Sequence, residues 1–218
     1  MHHGEFKGRY ADERKNRTLI LGESHHDNDK KDSADCKPGV PASYTTEGVV
    51  RDYLKDPQNQ NYRFFDKITQ TFGYDPELER ETFWESVYFG NYIDVVCGVK
   101  TSFAKETLKS EEKRQECNDQ LFAYANTHKI SKIYCFSILA YGSLPSIAKG
   151  VCEEYDQCET IGKRGNKNVY LRKCFYKAGV QHEHTAVVLD HDLEVVGISH
   201  PSSRGGYALD LYAKALML

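Results

Sequence analysis

Two short apolar segments, far apart in the chain, each end abruptly in small and polar residues. Residues 19–22 read Leu-Ile-Leu-Gly and run into Glu-Ser-His-His, and residues 195–198 read Val-Val-Gly-Ile and run into Ser-His-Pro-Ser-Ser. Such runs are typical of buried strands in a parallel sheet, where reactive groups stand at the carboxyl ends. The two ends can line one crevice only if the strands between them form a single sheet. This requirement constrains the fold more than any other feature.

Strand-like and helix-like segments alternate between these two ends. Predicted strands cover 18–21, 86–92, 132–140, 185–189 and 195–199, and predicted helices cover 45–55, 62–72, 110–128 and 207–218. This alternation favours an α/β fold, a three-layer α/β/α sandwich with a central, mainly parallel sheet. Residues 151–180 break the alternation and predict a β-rich insertion. Because no linker-like stretch divides the chain, residues 1–218 are expected to form a single domain.

The bulk composition narrows the class of protein. The mean hydropathy is −0.65, and no apolar run approaches the roughly 18 residues that a membrane helix needs. The first ten residues have no apolar core of the kind found in secretory signals. Seven cysteines, an odd number, without an export signal predict reduced thiols. We therefore expect a soluble, cytoplasmic protein with no membrane partner.

The charge distribution leaves two interpretations open. A formal net charge of −3 argues against a molecule that is basic all over. One stretch is nevertheless rich in basic residues: Lys163, Arg164, Lys167, Arg172, Lys173 and Lys177. This cluster is either a basic face that binds nucleic acid or the solvated side of a loop or hairpin.

The first strand end offers acid–base chemistry. Gly22 would let the backbone approach a ligand closely, and a glutamate beside histidines, Glu23 with His25 and His26, can transfer protons or stabilise charge. The plainer interpretation is that Glu23 pairs with a nearby arginine and the histidines are loop residues.

The last strand end and a middle strand add two further candidates. His200 precedes Pro201 at a predicted helix start, where exposed N–H groups disfavour protonation of an imidazole. A neutral histidine there can donate a hydrogen bond to charge that develops on a leaving group. Asn91 follows the middle strand, and its amide suits recognition of the edge of a base, although an ordinary strand-end asparagine is a common alternative.

In combination and in order, these segments resemble the uracil-DNA glycosylase superfamily across about residues 17–210. Residues 22–26 (Gly-Glu-Ser-His-His) resemble its first loop, residues 87–91 (Val-Tyr-Phe-Gly-Asn) its strand ending in a base-reading asparagine, and residues 200–203 (His-Pro-Ser-Ser) its last motif. Residues 111–142 are similar to its central helix–strand unit.

The resemblance implies hydrolysis of the N-glycosidic bond of a flipped, deaminated base in DNA. It implies that His200 hydrogen-bonds the base oxygen, Asn91 reads the polar edge, and Glu23 stabilises the cationic sugar or positions water. The remaining pocket residues implied are Gly22, Ser24, His25, His26, Tyr88, Ser202, Ser203 and Arg204. The partner would be DNA or another base-containing ligand.

Several positions depart from the family pattern. Ser24 stands where the best-known members have a water-activating aspartate, and His26 stands where a residue shapes the pocket against thymine. The apolar wedge of the family would fall near Arg204, with Tyr207 as a substitute. Three aromatic residues are candidates for stacking on the base: Tyr44, Phe64 and Tyr88.

No cofactor or metal is expected. Cys97 and Cys117 are similar to two ligands of the iron–sulfur branch, but the chain has no amino-terminal Cys-x-x-Cys to complete a cluster. A zinc site would need to be drawn from Cys152, Cys158, Cys174, His182 and His184, which lack a close cysteine pair.

Two other functions remain open. The missing aspartate favours a non-catalytic protein that binds bases, nucleotides or nucleic acid on the same fold. A serine esterase would use Ser24 as nucleophile and His200 as base, but Gly197 occupies the position where such a histidine usually has its aspartate.

Overall fold

The computed structural model describes residues 5–25, 46–56, 62–96, 102–145, 156–202 and 207–217. Within these ranges the chain forms a three-layer α/β/α sandwich, which confirms the predicted fold. The strands are β1 Phe6–Lys7, β2 Thr18–His25, β3 Tyr88–Val96, β4 Lys132–Cys135, β5 Asp156–Arg164, β6 Lys167–Tyr176 and β7 Leu193–Gly197. The helices are α1 Thr46–Lys55, α2 Arg63–Thr71, α3 Arg80–Trp84, α4 Ser102–Lys109, α5 Glu111–His128, α6 Ile138–Tyr141 and α7 Leu209–Leu216, with a 3-10 helix at Ala11–Glu13.

The seven strands form one sheet in the order β1-β3-β2-β4-β7-β6-β5. The four central strands, β3, β2, β4 and β7, are mutually parallel. At the margins the pairing is antiparallel: β1 pairs with β3, β6 pairs with β7, and β5 pairs with β6. The sheet is therefore parallel at its centre and antiparallel at both margins.

Alternation along the central strands explains why helices cover both faces. Leu19 and Leu21 of β2 enter one buried cluster, whereas Ile20 enters the other. Successive side chains of a strand point to opposite faces, so a continuous apolar run must be covered on both sides. The first cluster packs against α4, α5 and α6, and the second against α1, α2, α3 and α7.

The helix predicted over 110–128 matches α5. The Oγ of Ser110 accepts a hydrogen bond from the backbone N–H of Lys113, which caps its first turn. The strand predicted over 132–140 is too long: residues 132–135 form β4, but residues 138–140 are helical because Ser137 caps α6. The strand predicted over 185–189 is wrong, because the Asp119 and Asn126 side chains bind that backbone in place of a neighbouring strand.

Within the predicted β-rich segment 151–180, residues 156–176 form a hairpin of β5 and β6 that extends the main sheet. A bulge between Thr160 and Gly162 interrupts the register of β5. No helix in the described ranges is both long enough and apolar enough to cross a membrane.

Candidate functional site

The candidate site lies where β2 and β4 stand side by side. The helices that follow β2 pack on one face through residues such as Val50 and Phe65, and the helix that follows β4 packs on the other face through Ala140 and Tyr141. Adjacent parallel strands whose connections leave to opposite faces create a crevice at their carboxyl ends. The topology therefore makes the ends of β2 and β4 the candidate position for a ligand.

Glu23 occupies the β2 side of this crevice. Its side chain is buried, with only 8% of the residue exposed, and its Oε2 accepts a hydrogen bond of 2.6 Å from the Oγ of Ser137. Ser137 Oγ in turn accepts from the N–H of Ala140 at 3.1 Å, as the N-cap of α6. A buried carboxylate held by a neutral donor can balance a positive charge brought by a ligand.

Ser137 is a site residue that the sequence interpretation missed. It follows the apolar run 132–136 and directly precedes α6. A serine between a strand and an apolar helical turn is a typical N-cap, and that signal could have identified it. Its contact with Glu23, 114 residues earlier, is tertiary and leaves no local trace.

The thiol of Cys135, which lies close enough to Glu23 to be affected by its charge, is not reactive. Cys135 is completely buried, and burial, with a smaller contribution from the Glu23 charge, raises the pKa of this thiol to about 12. The thiolate is the nucleophilic form of cysteine, so Cys135 is not a nucleophile at neutral pH.

Asn91 and Gly22 face one another across β3 and β2. They are register partners in the parallel pair, and a Cβ built at Gly22 would overlap the Oδ1 of Asn91 and lie 3.6 Å from the ring of Phe89. Because Gly22 has no side chain, the Asn91 amide can lie directly over β2 at this position. This is the close approach that a glycine permits.

His200 lies on the face covered by α2. Its ring is 5.2 Å from that of Phe64, which is itself 6.4 Å from Phe89. The backbone N–H of Ser202 donates to the Nδ1 of His200 at 3.1 Å. A nitrogen that accepts a hydrogen bond carries no proton, so neutral His200 carries its proton on Nε2 and can donate from there.

Two helices hold the loop that carries His200. From α2, the Nζ of Lys67 donates to the carbonyl oxygen of Pro201 at 2.7 Å. From α7, the hydroxyl of Tyr212 lies 2.9 Å from the Oγ of Ser199 and accepts from its N–H at 3.3 Å. The imidazole is thus attached to a fixed backbone.

The structure brings Glu23, Asn91 and His200 near one edge of the sheet. Glu23 and Asn91 lie inside β2 and β3, just beyond the level at which β4 and β7 end, and His200 follows β7. They reach it from two faces. Gly22, Ser24 and Asn91 share the face on which His200 meets α2, and Glu23 points to the opposite face of β2, toward Ser137.

Tyr88 does not belong to this edge. It begins β3 at the opposite end of the sheet, its hydroxyl donates to Asp12, and its ring packs against Tyr124 and His128. Burial, followed by the hydrogen bond to Asp12, raises the pKa of this phenol. The parallel strand direction explains the difference, because the first residue of β3 cannot lie beside its carboxyl end.

Tyr207, the proposed substitute wedge, is also committed elsewhere. It is buried, shares a hydrogen bond of 2.8 Å with the hydroxyl of Thr71, and stacks on Tyr212. Ser202 is exposed beside His200. His26, Tyr44, Ser203 and Arg204 lie outside the described residues, as does the side chain of His25.

The residues considered for metal binding are dispersed. Among the described residues, no three His, Cys, Asp or Glu side chains are grouped so that they could hold a metal ion. Cys158 is exposed on β5, whereas Cys117 and Cys174 are buried. The Nδ1 of His184 lies 3.2 Å from Oε1 of Glu111. Cys97 and Cys152 lie outside the described part of the chain.

Comparison with known proteins gives no family for this chain. No protein family matches it, and no curated protein matches its sequence.

Proposed function

We propose that this protein is a base-excising hydrolase of the uracil-DNA glycosylase type, which cleaves the N-glycosidic bond of a flipped, deaminated base in DNA. In this reaction water adds to the sugar carbon, and the base leaves with the bonding electrons and takes up a proton. The transition state separates charge into a cationic sugar and an anionic base. The site must therefore supply a donor for the base and a negative group near the sugar.

The observation that carries the proposal is the hydrogen bond from the Ser202 N–H to the Nδ1 of His200. It fixes the neutral imidazole with its donor at Nε2, which is the form that can stabilise an anionic base oxygen without giving up a full proton. Preorganised donors of this kind contribute about 3 to 4 kcal/mol to a transition state.

Asn91 and Glu23 fit the two other roles. The Asn91 amide, held over Gly22, presents both a donor and an acceptor on the face that carries His200. The buried Glu23 carboxylate, held by Ser137, offers negative charge on the sugar side of a ligand that crosses the strand ends. Phe64 beside His200 is the aromatic best placed to contact the ring of an extruded base.

A panel of oligonucleotides tests this function. DNA containing uracil, hypoxanthine or xanthine, single- and double-stranded, is incubated with the protein and treated with alkali, which breaks the strand at an excised base. We expect breaks with at least one substrate and their loss in Glu23→Gln and His200→Ala. Glu194→Gln is the matched control, because Glu194 pairs with Lys132 at the other end of the sheet.

The second candidate is a non-catalytic protein that binds the same ligand. It is favoured by Ser24, a buried hydroxyl where a water-activating carboxylate would be needed. Tight binding of a modified oligonucleotide with no breaks in any substrate would decide for this candidate and against hydrolysis.

The serine esterase is the weakest candidate. An esterase histidine must accept the serine proton at Nε2 while Nδ1 donates to a carboxylate. In this chain the Nδ1 of His200 accepts from a backbone N–H, which favours the opposite tautomer. Turnover of a nitrophenyl ester that is lost in Ser24→Ala would overrule this argument.

A further inference from the structure

The β5–β6 hairpin reaches beyond the edge that carries the candidate site. The pairing of β6 with β7 ends where Arg172 meets Gly197, at the carboxyl end of β7. In the described part of the chain, residues 167–171 of β6 pair only with β5. At about 3.3 Å per residue, this two-stranded ribbon projects about 16 Å past the ends of the parallel strands.

Among the described residues, helix α7 covers one face of the projecting ribbon and no element covers the other. Leu211 of α7 packs on Gly162, where a Cβ would lie 2.8 Å from it, and Leu171 is buried on the same face. We call the open face the ribbon face. Its residues can be read from the register of the two strands, because successive side chains of a strand point to opposite faces. It consists of Cys158, Thr160, Lys163, Asn168, Tyr170 and Arg172.

The ribbon face combines positive charge with an exposed aromatic ring. It contains Lys163 and Arg172 but no acidic residue, and Tyr170 is 42% exposed. Asn168 donates to the hydroxyl of Tyr170 at 3.3 Å, which orients the ring on the strand. Tyr170 therefore lies on the surface near positively charged side chains and does not belong to the buried core of the described residues.

The charge of this hairpin is unlike that of the rest of the surface. Residues 156–177 contain six basic and two acidic residues, in a chain of net charge −3. Several exposed lysines on other elements form ion pairs, as Lys109 does with Glu106 and Lys113 does with Glu116, each at 2.7 Å. By contrast, Lys163, Arg164 and Lys167 form no ion pair with any described residue. Unneutralised cations on an acidic protein indicate a polyanionic partner.

The ribbon is attached to the loop that carries His200. The hydroxyl of Tyr212 lies 3.3 Å from the carbonyl oxygen of Tyr170 and 2.9 Å from the Oγ of Ser199. The ribbon face also continues the face of the sheet to which Glu23 points. Three interstrand spacings separate β2 from β6, about 14 Å. A strand that leaves the crevice at Glu23 can therefore reach the ribbon within a few nucleotides.

We propose that the ribbon face is a binding surface for single-stranded DNA adjacent to the base that enters the crevice. The role of this surface as a substrate guide rests on the proposed function, but binding itself does not. Lys163 on the ribbon face, together with Arg164 and Lys167 beside it at the tip of the hairpin, would neutralise backbone phosphates, and Tyr170 would stack on one unpaired base. Stacking needs an unpaired base, which is why the ribbon selects single strands over duplex.

Fluorescence anisotropy with the full chain tests the surface. The probe is a labelled, unmodified 20-nucleotide single strand, measured from 50 to 200 mM salt beside a duplex, a single-stranded RNA and heparin of equal charge. The test variant carries Lys163→Gln, Arg164→Gln and Lys167→Gln. The matched control carries Lys55→Gln, Lys109→Gln and Lys113→Gln, three exposed lysines on other elements.

We expect the test variant to bind the single strand at least about tenfold more weakly at 100 mM salt, with a salt slope smaller by about 2, because about 0.7 counterions are released per neutralised phosphate. Tyr170→Ala should weaken binding about five- to hundredfold and Tyr170→Phe should restore it, since the ring does the stacking.

Equal losses in the test and control triple variants would overturn the proposal. Duplex, RNA or heparin bound as tightly as the single strand, with no effect of Tyr170→Ala, would assign the ribbon to another polyanion and overturn it as well. Excision assays on the original chain separate this proposal from the proposed function. If the original chain excises no substrate but still binds the single strand through the ribbon, the enzyme proposal fails and the ribbon proposal stands.

Discussion

The hydroxyl of Ser137 donates a 2.6 Å hydrogen bond to the carboxylate of Glu23, and this bond joins the loop after β4 to the end of β2 at the centre of the parallel sheet. Both groups are buried. A buried carboxylate is costly unless its hydrogen bonds are satisfied, so each residue has a measurable effect on the other.

Removal of the Ser137 hydroxyl should destabilise the protein. We expect Ser137→Ala to lower the free energy of unfolding by about 1 to 3 kcal/mol, because the Glu23 carboxylate loses a donor and α6 loses its cap. Urea denaturation of Ser137→Ala, Glu23→Gln and the double variant measures the coupling between the two residues. Ser86→Ala, another buried serine whose hydroxyl binds only a backbone carbonyl, is the control. Strictly additive single effects would contradict the bond.

A methyl group at Gly22 should displace Asn91. The added Cβ overlaps the Oδ1 of Asn91, so we expect Gly22→Ala to lower the free energy of unfolding by about 1 to 3 kcal/mol. Combining it with Asn91→Ala removes the clash and should recover most of this loss in urea denaturation. Ligand binding at the site should not recover, because the amide is gone. A double variant as unstable as the sum of the singles would show that another contact causes the strain.

The tautomer of His200 can be observed directly. Nitrogen-15 NMR of the imidazole at neutral pH should show a proton on Nε2 and an unprotonated Nδ1, because the Ser202 N–H occupies Nδ1. If the protein excises bases, His200→Ala should reduce the rate about 100- to 1000-fold. His191→Ala, which removes an imidazole bound to Asp190 away from the site, is the control. A proton on Nδ1 would remove the basis for the donor role.

His182 should make the fold sensitive to mild acid. It is buried edge-on against Tyr176, and burial lowers its pKa below the ordinary value of 6.5. The unfolded chain therefore takes up this proton more readily, so the stabilisation is complete above about pH 6.5 and is lost as the pH falls through the folded-state pKa. In urea denaturation at pH 7.5 and pH 5, His182→Phe should lose less stability than the original chain.

Glu183→Gln provides the control for that comparison, because it changes a charge on the exposed neighbour in the same loop. An equal loss of stability on acidification in His182→Phe and the original chain would assign the acid sensitivity to other groups.

Apolar runs that end in polar residues predict that Glu23 and His200 lie at one edge of the sheet, and the structure has them there. Asn91 lies inside β3 and reaches the same level only because β3 extends past the end of β4. The side to which each one points depends on register, which one sequence does not contain. Tyr88 was misplaced because an aromatic in a strand has the same pattern at either end. Ser137 was missed because its partner, Glu23, is 114 residues away in the sequence and the two residues come together only in the folded protein.

The bulge between Thr160 and Gly162 has a consequence for how copies of this protein behave at high concentration. β5 is the outermost strand on its side of the sheet, with backbone groups that another chain could pair with. The irregular register and the neighbouring cations of Lys163 and Arg164 make it a poor template for such pairing. The hairpin that we propose binds DNA therefore also disfavours pairing with another molecule through the edge of β5.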